Sequence, residues 1–493
     1  MHIIDIRRYL RCPRLSQLAQ RQPVRGFPFY NLSTDLDSSI RRRLGICEFG
    51  TGFPNETSDE SLRSMEQYHW IFRPRFTYRS LRVKVPLLYH EGSVCDLYFT
   101  ALNFGPSEEE ALNVAIIRQV LAHNGLTVRN VYYLYLNRDY VRCGELDDNA
   151  LWNLSTTFFN SNYHPSRDIL EASSQLPQPL DELIDAVEAA AQQPLAEAKR
   201  CAECTAPLKC RYYDQCFPQE AAVPDNSILT LCSSHAKYEM YDAGIRDLKD
   251  ADPDKVEGTK PQYAQIMADR SGGFYCDQTA LGHWLFVHSR PPLSFIDFEW
   301  DLYPVPPYDG MRPLQVLPFE YSLDVLEDGR RRHEQFLGTG DCRQAMIEKM
   351  LNDLPADGTI FAYNADGAEV LRVRELAQAF PRYAGRLEAV AARMVDIGKP
   401  LVMGMLYDVR LRGQYSLKAV QALIDPQHSY HDLPVENGLE AVEIHRKLVN
   451  SSDEGEKDAY REELFQYCGL DSLALVELYQ WLTAVHAQEN DPS

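Results

Sequence analysis

Two carboxylates one residue apart interrupt an otherwise apolar run, Ser294-Phe295-Ile296-Asp297-Phe298-Glu299-Trp300. In an extended strand the side chains at i and i+2 share a face, so Asp297 and Glu299 point the same way. A pair of acids on a buried strand face is costly unless a cation neutralises it, and Mg²⁺ or Mn²⁺ prefers such oxygen ligands. On a half-exposed strand the same pair is only a wet face. Further acids lie downstream. Asn364-Ala365-Asp366-Gly367-Ala368-Glu369 joins a strand to a helix, which lets either Asp366 or Glu369 project toward the same metals from the strand end or the first helical turn. In Tyr467-Cys468-Gly469-Leu470-Asp471 the i to i+4 spacing puts Tyr467 and Asp471 on one helix face. A second chemistry is offered by Cys201, Cys204, Cys210 and Cys216, crowded into one short stretch, with Cys12 isolated far upstream. Four thiolates suit an iron-sulphur cluster or a zinc ion, and a metal that joins distant chain segments closes a long loop.

Composition narrows the setting for this chemistry. The chain has 493 residues, 45% of them hydrophobic and 25% charged, with a mean hydropathy of -0.37. At roughly 150 residues per domain, two or three globular domains are expected. No uncharged apolar run approaches the ~18 residues of a membrane span, and the stretch from Met1 to Gln20 carries four arginines in place of a signal-peptide core. The expectation is a cytoplasmic protein, with no membrane partner and with reduced thiols available to a metal. The net charge of -21 argues against unspecific, patch-driven binding of nucleic acid. The charge is uneven, however: Met1 to Lys84 carries +7 and the remainder -28. The basic part contains Arg41-Arg42-Arg43 and a run from Phe72 to Arg79 in which Arg73 and Arg75 alternate with aromatic rings. Such a run either holds phosphates and stacks bases or is a solvated strand face. No His-Glu-x-x-His, Gly-x-Ser-x-Gly or phosphate-loop pattern occurs, which removes support for zinc peptidases, serine hydrolases and P-loop motors.

The elements that must position these residues follow from periodicity. Residues 1–217 read as an α/β domain, with strands at Leu81 to Tyr89 and Val131 to Leu136, a helix at Glu108 to Asn124, and a long helix at Leu180 to Lys199 that delivers the cysteines. The proline-bearing stretch Phe217 to Asn226 marks a boundary. Residues 218–290 read as a helical connector, with helices at Ala236 to Leu248 and Lys260 to Ala268. Residues 291–486 run strand, strand, strand, helix (Cys342 to Leu354), strand (Thr359 to Tyr363) and then mostly helices, the order of an RNase H-like domain. Residues 487–493 form a polar tail.

Taken together, Asp297-x-Glu299, Asn364 with Glu369, and Tyr467-x-x-x-Asp471 resemble the DEDD exonuclease superfamily, in its subtype with a tyrosine in the third motif. The resemblance implies that Asp297, Glu299, Glu369 and Asp471 bind two Mg²⁺ or Mn²⁺ ions, that Tyr467 orients the attacking water, and that Asn364 approaches the substrate end. It departs from the family at Trp300, where threonine is usual, and at Glu369, one residue later than usual, so Asp366 stays an alternative. Cys12 with Cys204, Cys210 and Cys216 resembles the [4Fe-4S] staple of AddB-type PD-(D/E)XK nucleases, and a zinc site using Cys201 is the rival. That nuclease module lacks its expected acids: Pro86 stands where the aspartate belongs, and the stretch from Cys95 to Leu102 contains no Glu-x-Lys. Asp96 is the one candidate for a displaced ligand, while Gln119 and Tyr133 stand near the later positions. Segments such as Tyr308 to Pro313, Pro318 to Leu323 and Gly413 to Lys418 resemble an uncharacterised bacterial family that fuses the two modules. The implied protein is a 3′-to-5′ exonuclease on single-stranded ends, with DNA favoured over RNA. Its first module is inactive but grips nucleic acid, and a helicase or a defence-system component is an implied partner. The alternative is a scaffold in which both nuclease sites have decayed.

Overall fold

The computed structural model describes residues 1–23, 30–32, 35–205, 208–252, 254–426, 430 and 433–488. The chain is mixed α/β and divides into two compact units, Met1–Pro218 with Leu302–Gln315 and Gln219–Asp301 with Val316–Ser493. The polar tail expected at 487–493 lies outside the described residues from 489 onward.

The first unit is built on a six-stranded sheet in the order Gly50–Thr51, Trp70–Phe72, Leu87–Glu91, Val94–Ala101, Thr127–Leu136, Trp152–Ser155. Val94–Ala101 and Thr127–Leu136 run parallel, joined by the helix Ala111–His123, whose Val114, Ile117, Val120 and Leu121 bury against the sheet. The strand expected at Leu81 to Tyr89 is two strands, Leu81–Lys84 and Leu87–Glu91. Pro86 lies between them and has no N–H to give to a ladder. The helix expected to reach Lys199 stops at Gln192, because Pro194 cannot continue it. What carries the chain onward is polar. Gln17 on the helix Pro13–Arg21 donates to the Ala190 (2.8 Å) and Pro194 (3.0 Å) carbonyls and accepts from the Ala196 N–H (2.8 Å). Those bonds lay the segment that follows the helix against the N-terminal helices, and so bring the cysteine-rich stretch back to Cys12. Leu302–Gln315 belongs to this unit through Arg142, whose guanidinium donates to the Pro306 (3.1 Å) and Pro307 (2.7 Å) carbonyls.

The second unit holds a five-stranded sheet in the order Arg330–Leu337, Gln315–Glu327, Leu293–Tyr303, Thr359–Ala362, Met394–Asp396. The first two strands are antiparallel, and the last two run parallel to the central Leu293–Tyr303 strand. Alternation along that central strand sorts its two faces. Ile296 and Phe298 pack with the helices Arg343–Asp353, Glu369–Ala379 and Ala384–Arg393, whereas Leu293 and Phe295 pack with the helices Gln278–His288 and Glu454–Gln488. The region read as a helical connector is part of this unit. Its strand Phe274–Cys276 pairs antiparallel with Leu406–Asp408, and Gln265 donates to the Tyr407 hydroxyl at 3.0 Å. The helix expected over Ala236 to Leu248 covers only Lys237–Asp242, since Gly244 turns the chain at φ +98°. No helix among the described residues is long and apolar enough to cross a membrane.

Candidate metal centre

Asp297 and Glu299 stand in the middle of the central strand, and Asp471 stands on the long helix Glu454–Gln488 that covers one sheet face. One carboxylate oxygen from each lies within 4.8 Å of the other two. Among the described residues, no hydrogen bond or ion pair ties the Asp297 or Glu299 carboxylate, although Glu299 is 9% exposed. Burial, and then the neighbouring Asp471, Glu299 and Glu369, push the Asp297 carboxyl well above its ordinary range, and Glu299 is raised in the same way. Asp471 is raised by burial to about 6, against the pull of the Tyr430 hydroxyl, the Lys418 ammonium and the Tyr467 hydroxyl.

Two other buried acids on this sheet face have partners. Asp301, two residues past Glu299 on the same face, receives a bidentate pair from Arg446 at 2.6 and 2.9 Å. Asp324 accepts from Ser472 at 2.8 Å and lies 3.2 Å from the His333 ring. Asp297 and Glu299 have no such ion pair among the described residues. A site of several converging carboxylate oxygens is what Mg²⁺ and Mn²⁺ bind.

The two candidates for the next acid are placed differently. Glu369 opens the helix Glu369–Ala379, is 3% exposed, has an unpartnered Oε2 and is raised by burial to about 7. Its charge is felt at Asp297 and Glu299. Asp366 is exposed and paired with Lys399 at 2.6 Å. Asn364 is exposed at φ +55°, its N–H held by the Asp396 carboxylate at 2.9 Å. Trp300 turns to the other sheet face, where the Arg372 guanidinium lies 5.8 Å from its ring centre. Tyr467 is buried one helical turn before Asp471, as the spacing predicts.

Three further groups stand by the triad outside the sequence motifs. The Tyr430 hydroxyl donates to Asp471 at 2.6 Å. The Lys418 ammonium sits 4.6 Å from the Tyr430 ring and 4.7 Å from the Tyr467 ring, donates to the Glu436 carbonyl, and feels Asp471, Glu299 and Asp297. Glu320, on the neighbouring strand, is fully buried. Only Glu320 left a local signal: Glu320, Ser322 and Asp324 alternate with Phe319, Tyr321 and Leu323, a polar stripe on an otherwise apolar strand.

In the first unit, Cys12, Cys201, Cys204, Cys210 and Cys216 line one small cavity, and none is in a disulfide. Arg14 donates to Cys216 Sγ at 3.2 Å, and Cys201 and Cys204 approach to 3.5 Å. Among the described residues no three sulfurs are drawn as close together as the acidic triad is. Burial, Glu203 and Cys204 push the Cys201 thiol up to about 12. Asp96 is held by Arg129 at 2.6 and 3.1 Å and by Asn130 at 3.0 Å, an internal structural role. Arg73 pairs with Asp37 at 2.8 Å, and Arg75 donates to the Arg73 carbonyl at 3.0 Å. The basic run is thus engaged within its own unit.

A family model described as a domain of unknown function, DUF2779, matches residues 294–416. The matched stretch takes in Asp297, Glu299, Glu320 and Glu369 and stops short of Lys418, Tyr467 and Asp471. No curated protein and no solved structure matches the chain.

Proposed function

We propose that the second unit is an RNase H-like, metal-dependent 3′-to-5′ exonuclease acting on single-stranded nucleic-acid ends, DNA ahead of RNA. The observation that carries this reading is the convergence of Asp297, Glu299 and Asp471 within 4.8 Å. The sheet order, with two strands running parallel to the central one, supports it, as does the burial of Glu369 beside the cluster. Asp297, Glu299, Glu369 and Asp471 would hold two Mg²⁺ or Mn²⁺ ions. Such a pair, when bound, stabilises charge on the phosphoryl oxygens and lowers the pKa of an attacking water. The chain supplies the rest. Tyr430 and Tyr467 fix the Asp471 carboxylate, and Tyr467 also orients the water. Lys418 presents a cation toward the scissile phosphate. Asn364, exposed at the end of its strand, meets the substrate terminus.

The first unit serves as a nucleic-acid-gripping module in this reading. Cys12, Cys204, Cys210 and Cys216 would hold a [4Fe-4S] cluster that staples its two chain ends, zinc with Cys201 being the alternative. Its own nuclease chemistry is lost, because Asp96 is locked by Arg129 and Asn130. That lock is also what favours the second reading, a binding scaffold within a multi-component complex.

The test is digestion of 5′-labelled and 3′-labelled single-stranded DNA and RNA with Mg²⁺ or Mn²⁺, comparing the wild type with Asp297→Ala. The expected result is a ladder of shortening 5′-labelled products with the 3′ label released as mononucleotide, all abolished by the substitution. Binding with no cleavage in either metal would favour the scaffold.

A further inference from the structure

The strand Gln315–Glu327 lies next to the central strand and sends Glu320, Ser322 and Asp324 to one side. Two contacts identify that side. Ser322 Oγ lies 2.6 Å from Ser472 Oγ, and Ser472 donates to Asp324 at 2.8 Å. Ser472 follows Asp471 on the long helix, so the polar stripe faces the turn that carries the third acid. Glu320, one step back along the stripe, is 0% exposed, and neither of its carboxylate oxygens has a hydrogen-bond partner among the described residues. A buried carboxylate with both oxygens unsatisfied is strongly destabilising unless a cation or donor meets it. Its stripe neighbour Asp324 escapes that cost through Ser472 and His333.

We propose that Glu320 is a fifth carboxylate ligand of the divalent-cation centre, beside Asp297, Glu299, Glu369 and Asp471. This rests on the metal-centre reading and deepens it. Five carboxylates facing the single positive charge of Lys418 leave four negative charges, the complement of two divalent cations. Both ions therefore bind before nucleic acid arrives. A centre without Glu320 would lack one of those charges, and its second ion would bind tightly only together with a substrate phosphate.

The experiment is a Mn²⁺ titration of the EDTA-stripped full chain in the absence of nucleic acid, read by the electron paramagnetic resonance of free Mn²⁺. Wild type, Glu320→Gln, Glu320→Asp and Asp297→Asn are compared, with circular dichroism to establish that each is folded. Wild type is expected to take up two ions. Glu320→Gln is expected to weaken one of them at least ten-fold, with Glu320→Asp in between because it keeps the charge but withdraws it. An isotherm for folded Glu320→Gln and Glu320→Asp that superimposes on wild type, while Asp297→Asn loses binding, overturns the assignment of Glu320 alone. Equal absence of binding in wild type and Asp297→Asn overturns the metal-centre reading itself.

Discussion

A carboxylate cluster made for a cation should weaken the fold when the cation is removed, and Asp471→Asn measures how much. Burial raises Asp471 from 3.8 to about 6, so the folded state holds this proton more tightly than the unfolded chain does. The stability tied to that proton is complete below the unfolded pKa and is lost as pH rises through the folded one. At 1.36 kcal/mol per unit, the ionised side chain costs the metal-free protein about 3 kcal/mol above pH 7. Asparagine carries no such charge and stands in for the protonated acid, and the Tyr430 bond to the ionised form is already contained in the folded pKa. The metal-free variant is therefore expected to be more stable than wild type by about 3 kcal/mol at pH 8, or on the order of 6–12 °C for a unit of this size. The difference should shrink toward zero near pH 4. Thermal unfolding in EDTA across this range, followed on the transition that Mn²⁺ shifts in wild type, provides the assay. Saturating Mn²⁺ should reverse the order, since binding at a thousand times Kd adds about 4.1 kcal/mol to the wild type alone. A variant less stable than wild type by the same amount at every pH, with or without metal, would mean that Asp471 is an ordinary structural residue.

Lys418→Met should reduce cleavage about 100-fold through kcat, the scale on which a preorganised charge at a reacting phosphate acts, while Mn²⁺ binds as tightly as before or more so once a repelling cation is gone; steady-state kinetics with a parallel metal titration test both. Anaerobically purified protein should carry about four irons and absorb in the visible, with the iron lost in Cys12→Ser or Cys216→Ser and kept in Cys201→Ser. Zinc in place of iron, lost with Cys201, would point to the single-ion site instead. Asp96→Ala should lower the stability of the first unit by about 1–3 kcal/mol, because the Arg129 pair and the Asn130 bond are lost, and leave metal-dependent cleavage unchanged; denaturant unfolding and the digestion assay separate the two effects.

What could be read in the sequence was local. Asp297 with Glu299, and Tyr467 with Asp471, stand out because strand and helix periods place each pair on one face, and the structure brings Asp297, Glu299 and Asp471 together. The order of strands and helices from Pro292 to Ala362 could be read for the same reason, whereas the short strands Met394–Asp396 and Leu406–Asp408 beyond it could not. The choice between Glu369 and Asp366 was not local: three residues apart at one junction, they differ in that one is buried beside the cluster and the other is paired with Lys399. Lys418 and Tyr430 left no trace, because a lysine on a short amphipathic helix and a tyrosine outside both motifs acquire their role only through tertiary packing. Helix ends were misjudged at Pro194 and Gly244, where one residue's backbone chemistry outweighed an otherwise helical composition.

The treatment of acids along one sheet face is what distinguishes a binding centre from a chance cluster here. Asp301 and Asp324 are as deeply buried as Glu299 and Asp471, yet Arg446 crosses to the first from another helix, and Ser472 and His333 close on the second. Between them, Asp297, Glu299 and Glu320 receive no comparable partner among the described residues, and the one ammonium that faces them, Lys418, is itself held by the Glu436 carbonyl and two aromatic rings. One oxygen each of Asp297, Glu299 and Asp471 lies within 4.8 Å of the others, and the charges of Glu320 and Glu369 are felt at Asp297 and Glu299. A divalent cation held by Asp297, Glu299 and Asp471, as proposed, would remove the repulsion among them at once.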